Sequence, residues 1–196
     1  MRRMMRTVRL ACAVAVAGVL LAGCGLGGGG KNENRAVAGM DMQGAAERGD
    51  GMFYATVGEI KPEIDWVYYT TTTGSCDVTR YWIVMTVVSE QRRGSFLGVV
   101  ERFWKASDYR IKTVNPSKEM PAIYATSPDG FGIRVKFGYK GQAFFQVTSP
   151  CVDESKVAAP TKVATGRTYD GRPPIPNVRS AFWSAETPVP DPAPSS

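Results

Sequence analysis

The chain has 196 residues, a formal net charge of +6 and no histidine. Without histidine it can build neither Ser-His-Asp nor Cys-His catalysis, it lacks the ligand most zinc sites use, and it has no ordinary physiological-pH switch. The charge sits at the start. Arg2, Arg3, Arg6 and Arg9 precede every acid, and without them the balance is nearer +2. Bulk basicity is therefore no argument for nucleic acid.

Residues 10–22 are an apolar run behind the arginines. A spanning helix needs about 20 apolar residues, so this shorter run reads as the core of a secretory signal. It ends in Leu21-Ala22-Gly23-Cys24, which resembles the lipobox of bacterial lipoproteins. The resemblance implies cleavage between Gly23 and Cys24 and a diacylglyceryl thioether on Cys24, which becomes the new N-terminus. Stable anchoring takes two or more acyl chains. The expected partner is then the lipid bilayer, reached through acylated Cys24, and the expected location is the extracytoplasmic side of a cell membrane. Ordinary secretion with Cys24 as a bystander is the alternative. The export route and the envelope type stay open.

Of the four cysteines, Cys12 belongs to the signal and Cys24 to the anchor. Cys76 and Cys151 remain in an oxidising compartment and are expected to pair. A redox-active pair is the other reading, but the Cys-x-x-Cys spacing is missing.

Residues 24–39 are expected to form a lipidated cysteine and a glycine-rich tether. Gly25 to Lys31 imitates a phosphate-binding loop, but Asn32 stands where the metal-ligating Ser/Thr belongs and no strand precedes it. A compact domain is expected over 40–151. Its first helix starts near Met40, with Met42, Ala45, Ala46, Gly49, Phe53, Val57 and Ile60 on one face, Asp41 as cap and Pro62 as stop. Gly44, Gly49, Gly51 and Gly58 weaken it, so packing must hold it or it breaks near Gly49. Two strands follow, over 64–73 and 78–89. The second is apolar on both faces and belongs inside the sheet. The clearest helix covers 90–106. Its Phe96, Leu97, Val100, Phe103 and Trp104 form the apolar stripe, and Arg92, Arg93, Glu101, Arg102 and Lys105 face water. Ser89 is its expected cap.

Four strands complete the domain, over 109–114, 120–126, 131–139 and 142–149. Ser127-Pro128-Asp129-Gly130 supplies turn chemistry between the second and third of these. The fold class that follows is α+β: two helices on one face of a mainly antiparallel sheet of about six strands, with one disulfide. The region also resembles small uncharacterised actinobacterial lipoproteins, in the Arg92-Arg93 helix ending in Phe103-Trp104, the Ser127–Phe131 turn and Ser149-Pro150-Cys151. That resemblance implies no activity. Nine of the thirteen prolines fall from Pro150 onward, so 152–196 reads as a largely disordered tail. One island around Phe182-Trp183 can dock on the domain.

Catalytic motifs are missing. There is no Gly-x-Ser-x-Gly and no calcium loop, Glu59 and Glu63 are separated by Pro62, and Asp153-Glu154 reads as a solvated pair. No catalytic residue, metal or cofactor is expected. Tyr81, Trp82, Phe103 and Trp104 could line an apolar pocket between helix and sheet, or they could simply be core. The sequence thus favours a non-catalytic, membrane-anchored binding or accessory module, with an envelope protein as a possible partner and no nucleic acid. The alternative is a carrier of an apolar small molecule or lipid. A carboxylate-based hydrolase comes third, and it needs two acids about 5–10 Å apart across a groove.

Overall fold

The structure is a computed structural model and describes residues 39–138, 141–166 and 175–187. The expected signal, Gly23 and Cys24 lie outside the described residues. The chain runs α1 (Met42–Gly58), β1 (Trp66–Thr73), β2 (Val78–Val84), α2 (Glu90–Ala106), β3 (Arg110–Asn115), β4 (Ala122–Thr126), β5 (Gly132–Phe137) and β6 (Ala143–Thr148). The fold is α+β, in the order read from periodicity.

The six strands form one sheet in the order β1-β2-β6-β5-β4-β3, with every neighbouring pair antiparallel. The first hairpin makes one edge. Helix α2 then carries the chain across to the far edge, and β3 to β6 return as a meander until β6 closes against β2. Both helices cover one face, α1 over β2 and β6, α2 over β3 and β4. The row Tyr68, Trp82, Phe145, Val135, Ile123 and Val114 runs straight across all six strands under them.

Aromatic packing fixes α1 on this row. Phe53 stacks on Trp82 with ring centroids 4.3 Å apart, and meets Phe145 edge-on at 5.2 Å. Asp41 caps the helix by accepting from the Gly44 amide at 2.8 Å. The helix does not break at Gly49. A Cβ there would sit 3.3 Å from Val147 Cγ1, so the glycine lets α1 approach β6 closely. Trp104 of α2 donates to Thr56 Oγ1 at 3.0 Å, which joins the two helices through a buried polar contact. Ser89 has the extended backbone of a cap but makes no side-chain capping bond. Its hydroxyl instead donates to the Ala185 carbonyl.

The turn after β4 has the expected chemistry. Gly130 holds φ at +88°, and the Phe131 amide donates to Ser127 Oγ at 3.0 Å. Asp129 does more than favour a turn, because it accepts from Arg48 of α1 at 2.8 Å.

Two expectations need correction. Arg92 does not face water. It is 4 % exposed, with its guanidinium 4.6 Å from the Phe182 ring centroid. The C-terminal region is also not a loose tail over its described parts. The Val152 amide bonds to the Cys76 carbonyl at 2.7 Å, Met42 to Asp153 at 2.9 Å, and Trp66 to Thr165 Oγ1 at 3.0 Å. Residues 152–166 thus strap the first hairpin to α1. Further on, Trp183 is 1 % exposed. Its indole donates to the Pro62 carbonyl at 2.6 Å and its ring meets Phe96 edge-on at 5.4 Å. Proline content argued against regular structure here, but the backbone groups find partners without forming an element.

Cys76, in the β1–β2 turn, is bonded to Cys151, just after β6, with Cα atoms 4.8 Å apart. Closing a loop of this length is worth up to about 4.5 kcal/mol on the chain-entropy model. Reduction is expected to lower the denaturant midpoint by a corresponding amount. Trp183→Ala should cost a further amount of about 3–5 kcal/mol, as for a core tryptophan. Chemical unfolding followed by far-UV circular dichroism checks both, and a Trp183→Ala midpoint equal to the parent's would remove the C-terminal segment from the core.

Candidate functional site

The four residues proposed to line a pocket do not come together. Trp82 and Trp104 are fully buried core residues. Trp82 lies under Phe53, and Trp104 stacks near Tyr109 with centroids 6.3 Å apart. Tyr81 points to the opposite face of the sheet, because successive strand residues alternate. Phe103 borders only a shallow open groove with Glu59, Lys61 and Arg102. For the tryptophans, the core-only reading holds.

A cleft does exist between helix and sheet, at the other end of α2. It encloses about 520 Å³ between α2 and the β3 edge with its following loop. Glu90, Arg93, Gly94, Leu97, Gly98 and Glu101 form its helical wall. Their spacing of three and four residues places them on one face of α2. Gly94 and Gly98 make that wall recede, and a Cβ at Gly94 would meet nothing within 4 Å. Leu97 and Ile123 form an apolar floor, 7 % and 1 % exposed, while Val114 on the rim is 47 % exposed.

The opposite wall is preorganised. Arg93 donates from Nη1 to the Glu119 carbonyl at 2.8 Å and lies 5.7 Å from the Phe137 ring centroid. Asn115 accepts from the Ser117 amide at 3.1 Å and donates to the Met120 carbonyl at 3.1 Å. The 115–120 loop is therefore tied to itself and to α2. An apolar floor, a polar rim and a preformed shape are the features of a binding cleft. Glu90 and Glu101 are the only acids lining it. Eleven helical residues separate them by about 16 Å, well beyond the reach of a glycosidase pair.

The sequence carried a trace of this cleft in Gly94 and Gly98 inside an otherwise strong helix. It could not supply the second wall, which comes from a strand edge. No cluster of three or more His, Cys, Asp or Glu able to hold a metal occurs among the described residues.

Sequence reasoning also missed a charged pair inside the fold. Arg80 Nε lies 3.2 Å from Asp50 Oδ1, with side chains 2 % and 10 % exposed. Arg80 also donates to the Ala158 carbonyl at 2.8 Å and to Thr71 Oγ1. It thereby clamps α1, β1 and the 152–166 strap to one guanidinium. Burial pushes the Asp50 carboxyl up to about 6, against the pull of Arg80, and pushes the Tyr54 hydroxyl up to about 12. The pair is closed to solvent and reads as a structural clamp.

No protein-family model, curated protein or solved structure matches the chain.

The clamp has a pH signature. The folded protein holds the Asp50 proton up to about pH 6, whereas the ordinary value is 3.8. Its contribution to stability is therefore complete below 3.8 and is lost as pH rises through about 6. A carboxyl-carbon NMR titration should show one aspartate titrating in that range. Arg80→Met should move it higher and destabilise the protein by about 3–5 kcal/mol, because a buried charge loses its partner. An Asp50 titration left unmoved by Arg80→Met would contradict the clamp, because the guanidinium is what holds the carboxyl down against burial.

Proposed function

We propose that this protein is a lipid-anchored, non-catalytic binding module on the extracytoplasmic side of a cell membrane, and that the α2–β3 cleft is its ligand site. The cleft carries the reading. Its volume of about 520 Å³ falls in the range of sites that enclose a small molecule or the side chains of a bound segment. The Leu21-Ala22-Gly23-Cys24 motif supports the anchoring, and the Cys76–Cys151 bridge suits an oxidising compartment. No helix among the described residues is long and apolar enough to cross a membrane, so the attachment in this reading is the acyl group.

The carrier reading moves with the geometry. Its pocket is no longer the Trp82–Trp104 interior, which is packed, but the same α2–β3 cleft. An apolar small molecule would lie on Leu97 and Ile123. An envelope protein would present a short apolar segment to the same floor.

Growth of the producing cells with an alkyne-tagged fatty acid tests the anchor. The parent chain is expected to take up the label and sediment with membranes. Cys24→Ser is expected to lose the label and leave the membrane fraction. Label retained on Cys24→Ser would overturn lipidation at that residue.

A further inference from the structure

The six strands contain no aspartate or glutamate, yet they hold Arg80, Arg110, Lys112, Arg134 and Lys136. This is not the balance of the domain. The described residues include fifteen acids and fifteen bases. All the acids therefore lie in helices and connections, and the sheet is purely cationic. Arg80 turns inward to Asp50. The other four make no ion pair among the described residues.

Register places two of them together on the face away from the helices. Arg134 stands between Gln146 and Tyr124, and Gln146 stands beside Tyr81, so Tyr81, Gln146, Arg134 and Tyr124 form one cross-strand row. The next row is Thr79, Thr148, Gly132, Thr126 and Arg110. Lys136 lies two residues along β5 from Arg134, about 7 Å away. Where Gly132 has no side chain, a depression of about 150 Å³ opens between Tyr124, Arg134, Gln146 and Thr148.

Polar groups around the depression are set in both senses. The Thr148 hydroxyl accepts from Thr79 Oγ1 at 3.0 Å and from Gln146 Nε2 at 3.0 Å, which leaves its own proton to donate. Gln146 Oε1 is buried without a partner and can accept. Tyr81 and Tyr124 stand about 14 Å apart across three strand spacings, with Arg134 between them. The half of this face nearest β1 is closed by Ala164 and Val178 over Val67, Ile83 and Met85.

We infer that the open half of this sheet face is a binding surface for an acidic polysaccharide. Arg134, flanked by Lys136 and Arg110, takes the anionic groups. Planar guanidinium forks suit carboxylate and phosphate, and these have no internal acid to satisfy. Gln146 and Thr148 offer an acceptor and a donor to sugar hydroxyls, and the two tyrosines offer ring faces. A membrane surface fits less well. Such docking buries large apolar side chains, and the exposed ones, Tyr69, Val114, Met120, Val163 and Ile175, lie outside both rows. The choice of a glycan over nucleic acid rests on the extracytoplasmic reading above.

Binding of the detergent-purified full chain to polygalacturonate, to uncharged dextran of similar length and to single-stranded DNA tests this. Polygalacturonate should bind, and its affinity should fall about tenfold between low salt and a few hundred millimolar salt as the charges are screened. Arg134→Gln with Lys136→Gln should weaken it about tenfold or more. Arg102→Gln, at an exposed cation on α2 and so on the opposite side of the sheet, should leave it unchanged. The double variant should keep the parent's unfolding midpoint, because neither side chain has an ion-pair partner among the described residues. No binding, equal binding by the double variant, or equal binding of dextran would overturn the inference. DNA bound as tightly as polygalacturonate would overturn it too and make this a nucleic-acid surface. The measurement is indifferent to acylation, so its failure is separate from any failure of the anchor at Cys24.

Discussion

The pairing of β6 with β2 is the contact on which the rest depends. These strands are joined in register from Thr79 opposite Thr148 to Ile83 opposite Phe144. Helix α2 and strands β3 to β5 lie between them in sequence. Until they meet, the first hairpin and the β3–β6 meander are separate ribbons, and neither helix has a continuous surface to cover. Loop closure makes such a contact costly to form. The Cys76–Cys151 bond sits at one end of this seam, so the covalent link lies where closure entropy opposes the fold most.

The seam also explains how the two faces divide. On the helix side, Trp82 of β2 faces Phe145 of β6, and Phe53 covers both. On the other side the adjacent pair is Tyr81 and Gln146. One step along the strand changes an aromatic core into a polar surface. Arg80 is the exception, a cation on the helix side. It is tolerated because Asp50, Thr71 and the Ala158 carbonyl satisfy it together. Breaking one partner of such a group leaves a buried charge exposed to the full desolvation cost.

Much of this was legible in the sequence, and for local reasons. The spans of both helices follow from residues three and four apart, and α2 runs over 90–106 as its stripe predicts. The alternation of Phe131, Ile133, Val135 and Phe137 announced β5, and all four are buried. What escaped depended on residues distant in sequence. Asp50 and Arg80 are thirty residues apart, and each alone reads as a surface charge. Arg92 reads as exposed because Phe182, which covers it, lies in a proline-rich stretch with no periodicity. The pocket proposed for Tyr81, Trp82, Phe103 and Trp104 failed because chain neighbours on a strand or helix point in different directions. The cationic face was invisible because its charges come from β3 and β5. Those strands are brought near each other only by the order β1-β2-β6-β5-β4-β3.

The two sheet edges are protected by different means, and this shapes what the cleft can accept. The β1 edge receives the 152–166 strap, with the Gly166 amide donating to the Trp66 carbonyl at 3.0 Å. The β3 edge has no such cover among the described residues. It is short, it carries Arg110 and Lys112, and its register shifts between Ile111 and Thr113. Charge and a bulge are the usual deterrents to adding another strand. If the cleft binds as proposed, a ligand beside β3 gains little from backbone pairing, and recognition falls to the side chains of the cleft floor and rim. Leu97 and Ile123 set the apolar requirement there, and Arg93, by holding the 115–120 loop, sets the width. Val114 and Ile123 line the cleft while Thr113 and Tyr124, their chain neighbours, belong to the opposite face. Strands β3 and β4 thus serve two surfaces at once, and their position is fixed from both sides of the sheet.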